Sequence, residues 1–262
     1  ILFLTIKLYV IMKSIFKLLL LFFIVFQSQA QNHEVGIWQY RSVGESDIKN
    51  FLSNEKNVYS KVARQAISEG KMKYWALFQR VGGLSTEPNF VFYNGFEKLS
   101  DLDDESPWYS GGPLYGLKTV KSDEVRYVVH IKPGPSVNVS PENLQRYFRI
   151  NYANASDANQ FVALQESVWK PWLENYIGQG KTAQKYWSAS TVISPTGNGY
   201  NWNAYTMDGY DNLSDALVPY PNGFSDFPEG ISTINELVPE GKFYKTVIWE
   251  LIMFISVDVE RL

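Results

Sequence analysis

The phrase Glu69-Gly70-Lys71-Met72-Lys73-Tyr74-Trp75 returns, with an insertion, as Gln179-Gly180-Lys181-Thr182-Ala183-Gln184-Lys185-Tyr186-Trp187. No other feature constrains the fold as much. At a shift of 110 residues, Ser46-Asp47 falls on Ser156-Asp157, Phe51 on Phe161, Val58 on Val168 and Ile67 on Ile177. Two inserted residues then bring Lys73-Tyr74-Trp75 onto Lys185-Tyr186-Trp187. Further on, Leu99-Ser100-Asp101 matches Leu213-Ser214-Asp215. An offset that holds over a helix-length stretch and drifts only at loops marks an internal duplication. The period is too long for a solenoid, so each copy is a domain-sized unit.

Both copies follow one order. A period-two run over Val35–Arg41, or Arg146–Tyr152, predicts a strand. Ser46 or Ser156 then caps a helix with Asp in its first turn. Ile48, Phe51, Leu52, Val58, Val62 and Ile67 draw one apolar helical face. Gly70 or Gly180 closes the helix in a left-handed conformation. Pro171 predicts a kink in the second helix. Strands are expected over Lys73–Val81 and Asn89–Asn94, and over Lys185–Ile193 and Tyr200–Thr206. A short helix near each Leu-Ser-Asp follows, then aromatic loops at Trp108–Pro113 and Tyr220–Phe224. Last strands are expected over Arg126–Lys132 and Lys245–Phe254. The fold class expected is α+β: two tandem β-α-β-β-α-β ferredoxin-like repeats forming a pseudo-dimeric α/β barrel. The repeats span 31–135 and 136–262, joined at Lys132-Pro133-Gly134-Pro135-Ser136.

The first 30 residues read as a targeting segment. Met12-Lys13 opens a short basic region, Leu18–Phe26 is an unbroken apolar run, and Ser28-Gln29-Ala30 offers small residues for cleavage. This is the pattern of a secretory signal with a start at Met12, and it predicts export to the periplasm or medium after cleavage near Ala30. Lys7, Lys13 and Lys17 oppose the alternative of a membrane anchor, so no membrane association is expected after cleavage. The chain has no cysteine and two histidines, His33 and His130. Disulfides, thiolate nucleophiles and cysteine-ligated metals are excluded, and routes to zinc or Ser-His-Asp chemistry are few. A formal charge of −3 gives no basic face for nucleic acid.

The duplicated order, with its Gly-Lys-x-x-x-Trp-type entry into the second strand, resembles the dimeric α/β barrel superfamily. More narrowly it resembles exported NIPSNAP-like or uncharacterised members from Bacteroidetes. The resemblance covers about residues 35–255 and implies two sheets paired into one barrel within one chain, as a monomeric pseudo-dimer or a homodimer. Its members include cofactor-free monooxygenases, haem-handling enzymes, isomerases and proteins without known activity, so it implies a menu of functions. Haem-binding relatives place an axial His on a helix. Neither long helix here contains one, so no cofactor is expected. No metal site is expected either, since Asp101-x-Asp103-Asp104 lacks the glycine and distal Glu of a calcium loop.

Candidate site residues follow from strand alternation. If Trp38, Tyr40, Phe148, Ile150 and Tyr152 meet the helices, the opposite faces turn into the barrel. His130, Tyr205 and Asn203 are then the catalytic candidates, with His130 as a base near neutral pH. Arg41, Arg149, Asn151 and Glu250 become ligand-binding candidates, the arginines for an anion. Trp75 and Trp187 could stack a planar ligand. A plainer reading pairs Arg149 with Glu250 and leaves both tryptophans in the core. Pairing His130 with Glu250 between copies predicts one asymmetric site. The leading function is an exported small-molecule-binding or accessory protein for an anionic or aromatic ligand. The alternatives are a cofactor-independent monooxygenase or isomerase acting in the barrel, and an interaction module using aromatic loops.

Overall fold

The computed structural model describes residues 34–104, 120–130, 144–197, 199–220 and 226–262. The targeting segment, the linker around 132–136 and the loop 108–113 lie outside the described residues, as does most of the loop 220–224.

The strands are β1 (Glu34–Val43), β2 (Tyr74–Val81), β3 (Phe90–Phe96), β4 (Val120–His130), β5 (Tyr147–Ala153), β6 (Tyr186–Ser194), β7 (Ala204–Tyr210), β8 (Lys245–Ser256) and the two-residue β9 (Glu260–Arg261). They form one antiparallel sheet in the order β2-β3-β1-β4-β6-β7-β5-β8-β9, and β2 also pairs with β8. This corrects the expected pair of ferredoxin-like repeats. The chain builds a closed eight-strand antiparallel barrel with few helices. Among the described residues the segment after β3 is only a five-residue 3₁₀ turn, Leu99–Asp103. Between β7 and β8 the described residues form α5 (Leu213–Leu217), α6 (Ile231–Glu236) and a 3₁₀ turn at Pro239–Gly241. The halves therefore share one sheet. Their edges, β2 and β4 in the first and β6 and β8 in the second, satisfy each other's backbone groups, which an open sheet would leave exposed.

The longer helical segments lie after β1 and β5. α1 (Ile48–Asn54) and α2 (Ser60–Ser68) flank a π turn at Glu55–Tyr59. α3 (Ala158–Leu164) and α4 (Lys170–Gly178) flank another at Gln165–Trp169, at the same 110-residue offset. Pro171 is therefore not what breaks the second helix. It sits at the start of α4, directly after the π turn, and the first copy has the same π turn with Lys61 at that place. The helices end at Gly70 (φ 70°) and Gly180 (φ 66°), in the left-handed conformation expected. Asp157, not Ser156, caps α3, accepting from the Gln160 N–H at 2.9 Å.

Facing of the strands is the second correction. The barrel interior holds Trp38, Tyr40, Phe78, Tyr93, Phe148, Tyr152, Tyr205 and Trp249. Inward Gly36 leaves room for the Tyr93 ring, which lies where a Cβ would stand. The helices cover the other face: Val35, Leu77, Phe90 and Phe92 with Phe51 and Ala63 in the first half, Trp187, Ala189 and Ala204 with Phe161 and Leu173 in the second. Both faces of β1 carry apolar residues, Trp38 and Tyr40 on one and Val35, Ile37 and Val43 on the other, so alternation alone does not say which turns in. An eight-strand barrel is just wide enough to be filled by side chains. Large rings fill it, and the helix-covered cores hold rings of their own, Trp75, Phe90 and Phe92 in the first half and Trp187 in the second.

Candidate functional site

That reversal moves most of the expected site. Arg41, Arg149 and Asn151 alternate with the inward rings of β1 and β5, so they lie on the helix-covered face. Arg41 lies 5.9 Å from the centre of the Phe92 ring. Glu250 points outward and pairs with Arg146 at 2.6 Å, not with Arg149. Leu251 takes the inward place in β8. The pairing of His130 with Glu250 was thus one residue out of register. Asn203 precedes β7. Its side chain accepts from the Ala155 N–H at 2.8 Å and donates to the Ala155 carbonyl at 2.7 Å. Trp75 and Trp187 are each 1% exposed within the two helix-covered cores.

Tyr205 and His130 do meet inside the barrel. Trp38 Nε1 donates to the Tyr205 hydroxyl at 2.9 Å. His130 Nδ1 bonds Ser190 Oγ at 2.6 Å, and Nε2 bonds the Tyr93 hydroxyl. Burial pushes the His130 pKa down to about 4. With both ring nitrogens engaged among close-packed rings, His130 is a neutral tie between β3, β4 and β6 at pH 7.

A cavity lies elsewhere, on the outer face of the second-half sheet. It holds about 380 Å³ between the sheet and the helices, within the range of small-molecule sites. Its sheet wall is polar: Arg149, Asn151, Thr206, Asp208 and Thr246. Its opposite wall is largely apolar, with Phe161, Trp169, Ile234, Val238 and Phe243. The π turn brings buried Gln165 to the same cavity, a common use of such turns.

Asp208 is a candidate that sequence reading missed. It is 9% exposed. Asn151 Nδ2 donates to its Oδ2 at 2.8 Å and to Thr206 Oγ1 at 3.1 Å, while Asn151 Oδ1 accepts from Thr246 Oγ1 at 3.0 Å. Gln184 Nε2 donates to Asp208 Oδ1 at 2.8 Å and to the Tyr186 carbonyl at 3.1 Å, while Gln184 Oε1 accepts from the Tyr220 hydroxyl at 2.9 Å. Every amide hydrogen of Asn151 and Gln184 is thus assigned, and each amide turns its NH₂ toward the carboxylate. Burial raises the Asp208 pKa to about 6. The Asn151 bond, the Arg149 charge and the Gln184 bond oppose that rise. The result is a carboxylate ionised at neutral pH, with lone pairs left over on a cavity wall. Arg149 Nη1 donates to the Ala216 carbonyl at 3.3 Å. Among the described residues no carboxylate forms an ion pair with it.

The first half offers no copy of this wall. By ladder position Asn94 stands where Asp208 does, and Phe92 where Thr206 does. The alternation Thr206-x-Asp208 against Phe92-x-Asn94 was the available signal: two polar residues, one a carboxylate, on that strand face in one copy against a lone asparagine in the other.

No family model matches the chain, and no curated protein does. Among solved structures, an anthrone oxidase-like protein is 9% identical with a TM-score of 0.54, over 86% of this chain and 93% of that one. A candidate monooxygenase from Fusobacterium nucleatum subsp. nucleatum is 6% identical with a TM-score of 0.54, over 88% and 97%. Another from Lactobacillus acidophilus is 10% identical with a TM-score of 0.48, over 88% and 98%. The likeness is one of fold, consistent with the dimeric α/β barrel resemblance. It shows nothing about the narrower NIPSNAP-like or Bacteroidetes group.

Proposed function

We propose that the protein binds a small, mostly apolar organic molecule with one acidic O–H or C–H group in the second-half cavity. Asp208 takes that proton, and Arg149 steadies the anion left behind. The observation that carries this reading is the Asp208 carboxylate, oriented by two amides on the wall of a cavity that also holds Arg149. A general base works best with a pKa near the operating pH, and about 6 meets that condition. Deprotonation is also the step that lets an electron-rich phenol or enol react with dioxygen without a cofactor. The fold neighbours described as anthrone oxidase-like or as monooxygenases favour that outcome over binding alone. Export after cleavage near Ala30 is part of the proposal and is supported by the N-terminal sequence.

The test is a panel of phenols and enols followed by thermal shift and by oxygen consumption. Asp208→Asn should lower oxygen consumption by roughly 10²–10⁴-fold with binding retained, and Arg149→Gln should weaken binding. Full turnover in Asp208→Asn would remove the base from this carboxylate. Saturable binding without turnover would leave the binding-protein reading.

A further inference from the structure

Gln184 is 1% exposed and lies behind the cavity wall, not on it. It touches two things that do line the cavity. Its amide nitrogen donates to Asp208 Oδ1, and its amide oxygen accepts from Tyr220. The same short segment is tied a second time, because Thr182 Oγ1 donates to the Pro219 carbonyl at 3.1 Å and accepts from the Gln184 N–H at 3.1 Å. Pro219 and Tyr220 both line the cavity. One amide therefore connects the Tyr220 side of the cavity to the carboxylate on its floor.

We propose that Gln184 is a positioning residue that couples Tyr220 to Asp208, so that a molecule seated against Tyr220 changes how tightly Asp208 holds its proton. This rests on the proposed role of Asp208 as base. An amide can point its NH₂ at the carboxylate only while its oxygen has a donor elsewhere. Tyr220 supplies that donor. If the hydroxyl turns to a bound molecule, Gln184 loses the contact that fixes its orientation, and the ionised carboxylate loses a donor. By reciprocity, protonation of Asp208 weakens the hold on Tyr220 by the same factor.

The groups that face Asp208 are few. Arg149 and Asn151 come from β5, Thr206 and Tyr210 from β7 itself, Gln184 from the segment before β6, and Tyr220 from the segment after α5. The π turn and α6 bring Gln165 and Asn235 to the cavity, and neither carries a charge. Arg149 is thus the single cation among these described groups, and it is not part of the Gln184 path.

The experiment is carbon-13 NMR titration of the aspartate carboxyls, with the Asp208 signal assigned by its loss in Asp208→Asn. Gln184→Met should raise the Asp208 midpoint by about one unit, since one hydrogen bond to a charged group is removed. Tyr220→Phe, which keeps the ring, should raise it by a few tenths of a unit. In the Gln184→Met background, Tyr220→Phe should add nothing, because the path is already cut. An unmoved Asp208 midpoint in a folded Gln184→Met protein overturns the proposal. So does a Tyr220→Phe shift that persists at full size without Gln184; if Gln184→Met fails to fold, an unmoved midpoint in Tyr220→Phe is decisive. The readout needs no turnover. A coupled titration in a protein that consumes no oxygen would separate this relay from the oxygenase reading.

Discussion

Glu55 and Gln165 occupy the same place in the two π turns, and both are 4% exposed. The glutamate is the strained one. Burial raises its pKa to about 8, against the pull of Arg41, so it is held protonated at neutral pH. A folded-state value above the unfolded one means that its contribution is complete below about pH 4.5 and is lost as pH rises through about 8. Glu55→Gln should therefore flatten the stability curve between about pH 4.5 and 8. Urea unfolding at pH 9 should show the variant more stable than the parent by up to about 5 kcal/mol, the ceiling set by a rise from 4.5 to about 8. The second copy already carries glutamine there, so the substitution fits the packing. Equal pH slopes for parent and variant would show that the carboxyl finds a charged partner at high pH. Asn94, at the position of Asp208, is buried with neither amide atom bonded.

At the scale of elements, two asparagines clasp the strand-to-helix exits of the two halves in the same way. Asn89 accepts from the Val43 N–H and donates to the Val43 carbonyl, each at 2.8 Å. Asn203 does the same to Ala155. Each side chain imitates a paired strand residue and lets the chain leave β1 or β5 for its helix without orphaned backbone groups. Asn203→Ala removes two part-buried hydrogen bonds and should cost about 1–3 kcal/mol. Asn203→Asp, which keeps only the acceptor, should also be destabilising. Denaturant titration checks both, and a neutral Asn203→Ala would mean that water replaces the clasp. This role was hidden in the sequence because an asparagine before a strand reads equally as a turn residue or as a polar candidate for a site. The helix ends were open to reading, since Gly70 and Gly180 each follow an apolar face. The π turns were not, because nothing in Glu55–Tyr59 or Gln165–Trp169 departs from an ordinary helical pattern.

At the scale of the molecule, stability rests on the closed barrel that both halves build. His130 of the first half bonds Ser190 of the second across the β4–β6 seam. Its pKa is depressed to about 4 from 6.5. For a depressed group the contribution is present above the unfolded value and is lost as pH falls toward the folded one. The barrel should weaken between pH 6.5 and 4 by up to about 3 kcal/mol from this residue. His130→Gln, which keeps a donor and an acceptor without titrating, should flatten that slope in thermal unfolding. An unchanged slope would assign acid sensitivity to other groups.

Read alone, the sequence determined the duplication, the strand–helix order through β1–β3 and β5–β7, and the glycine helix ends. Each of these depends on local spacing, which a one-dimensional pattern records. Only the tertiary structure decided that the halves share one closed sheet, because closure depends on β2 meeting β8 and β4 meeting β6, pairings far apart in the chain. It also decided which strand face turns inward. Both faces of β1 carry apolar residues, and only the volume of the closed barrel selects the face with Trp38 and Tyr40. That choice carried Arg149 and Asn151 out of the barrel and set them beside Asp208, where a buried carboxylate, an arginine and an open cavity coincide.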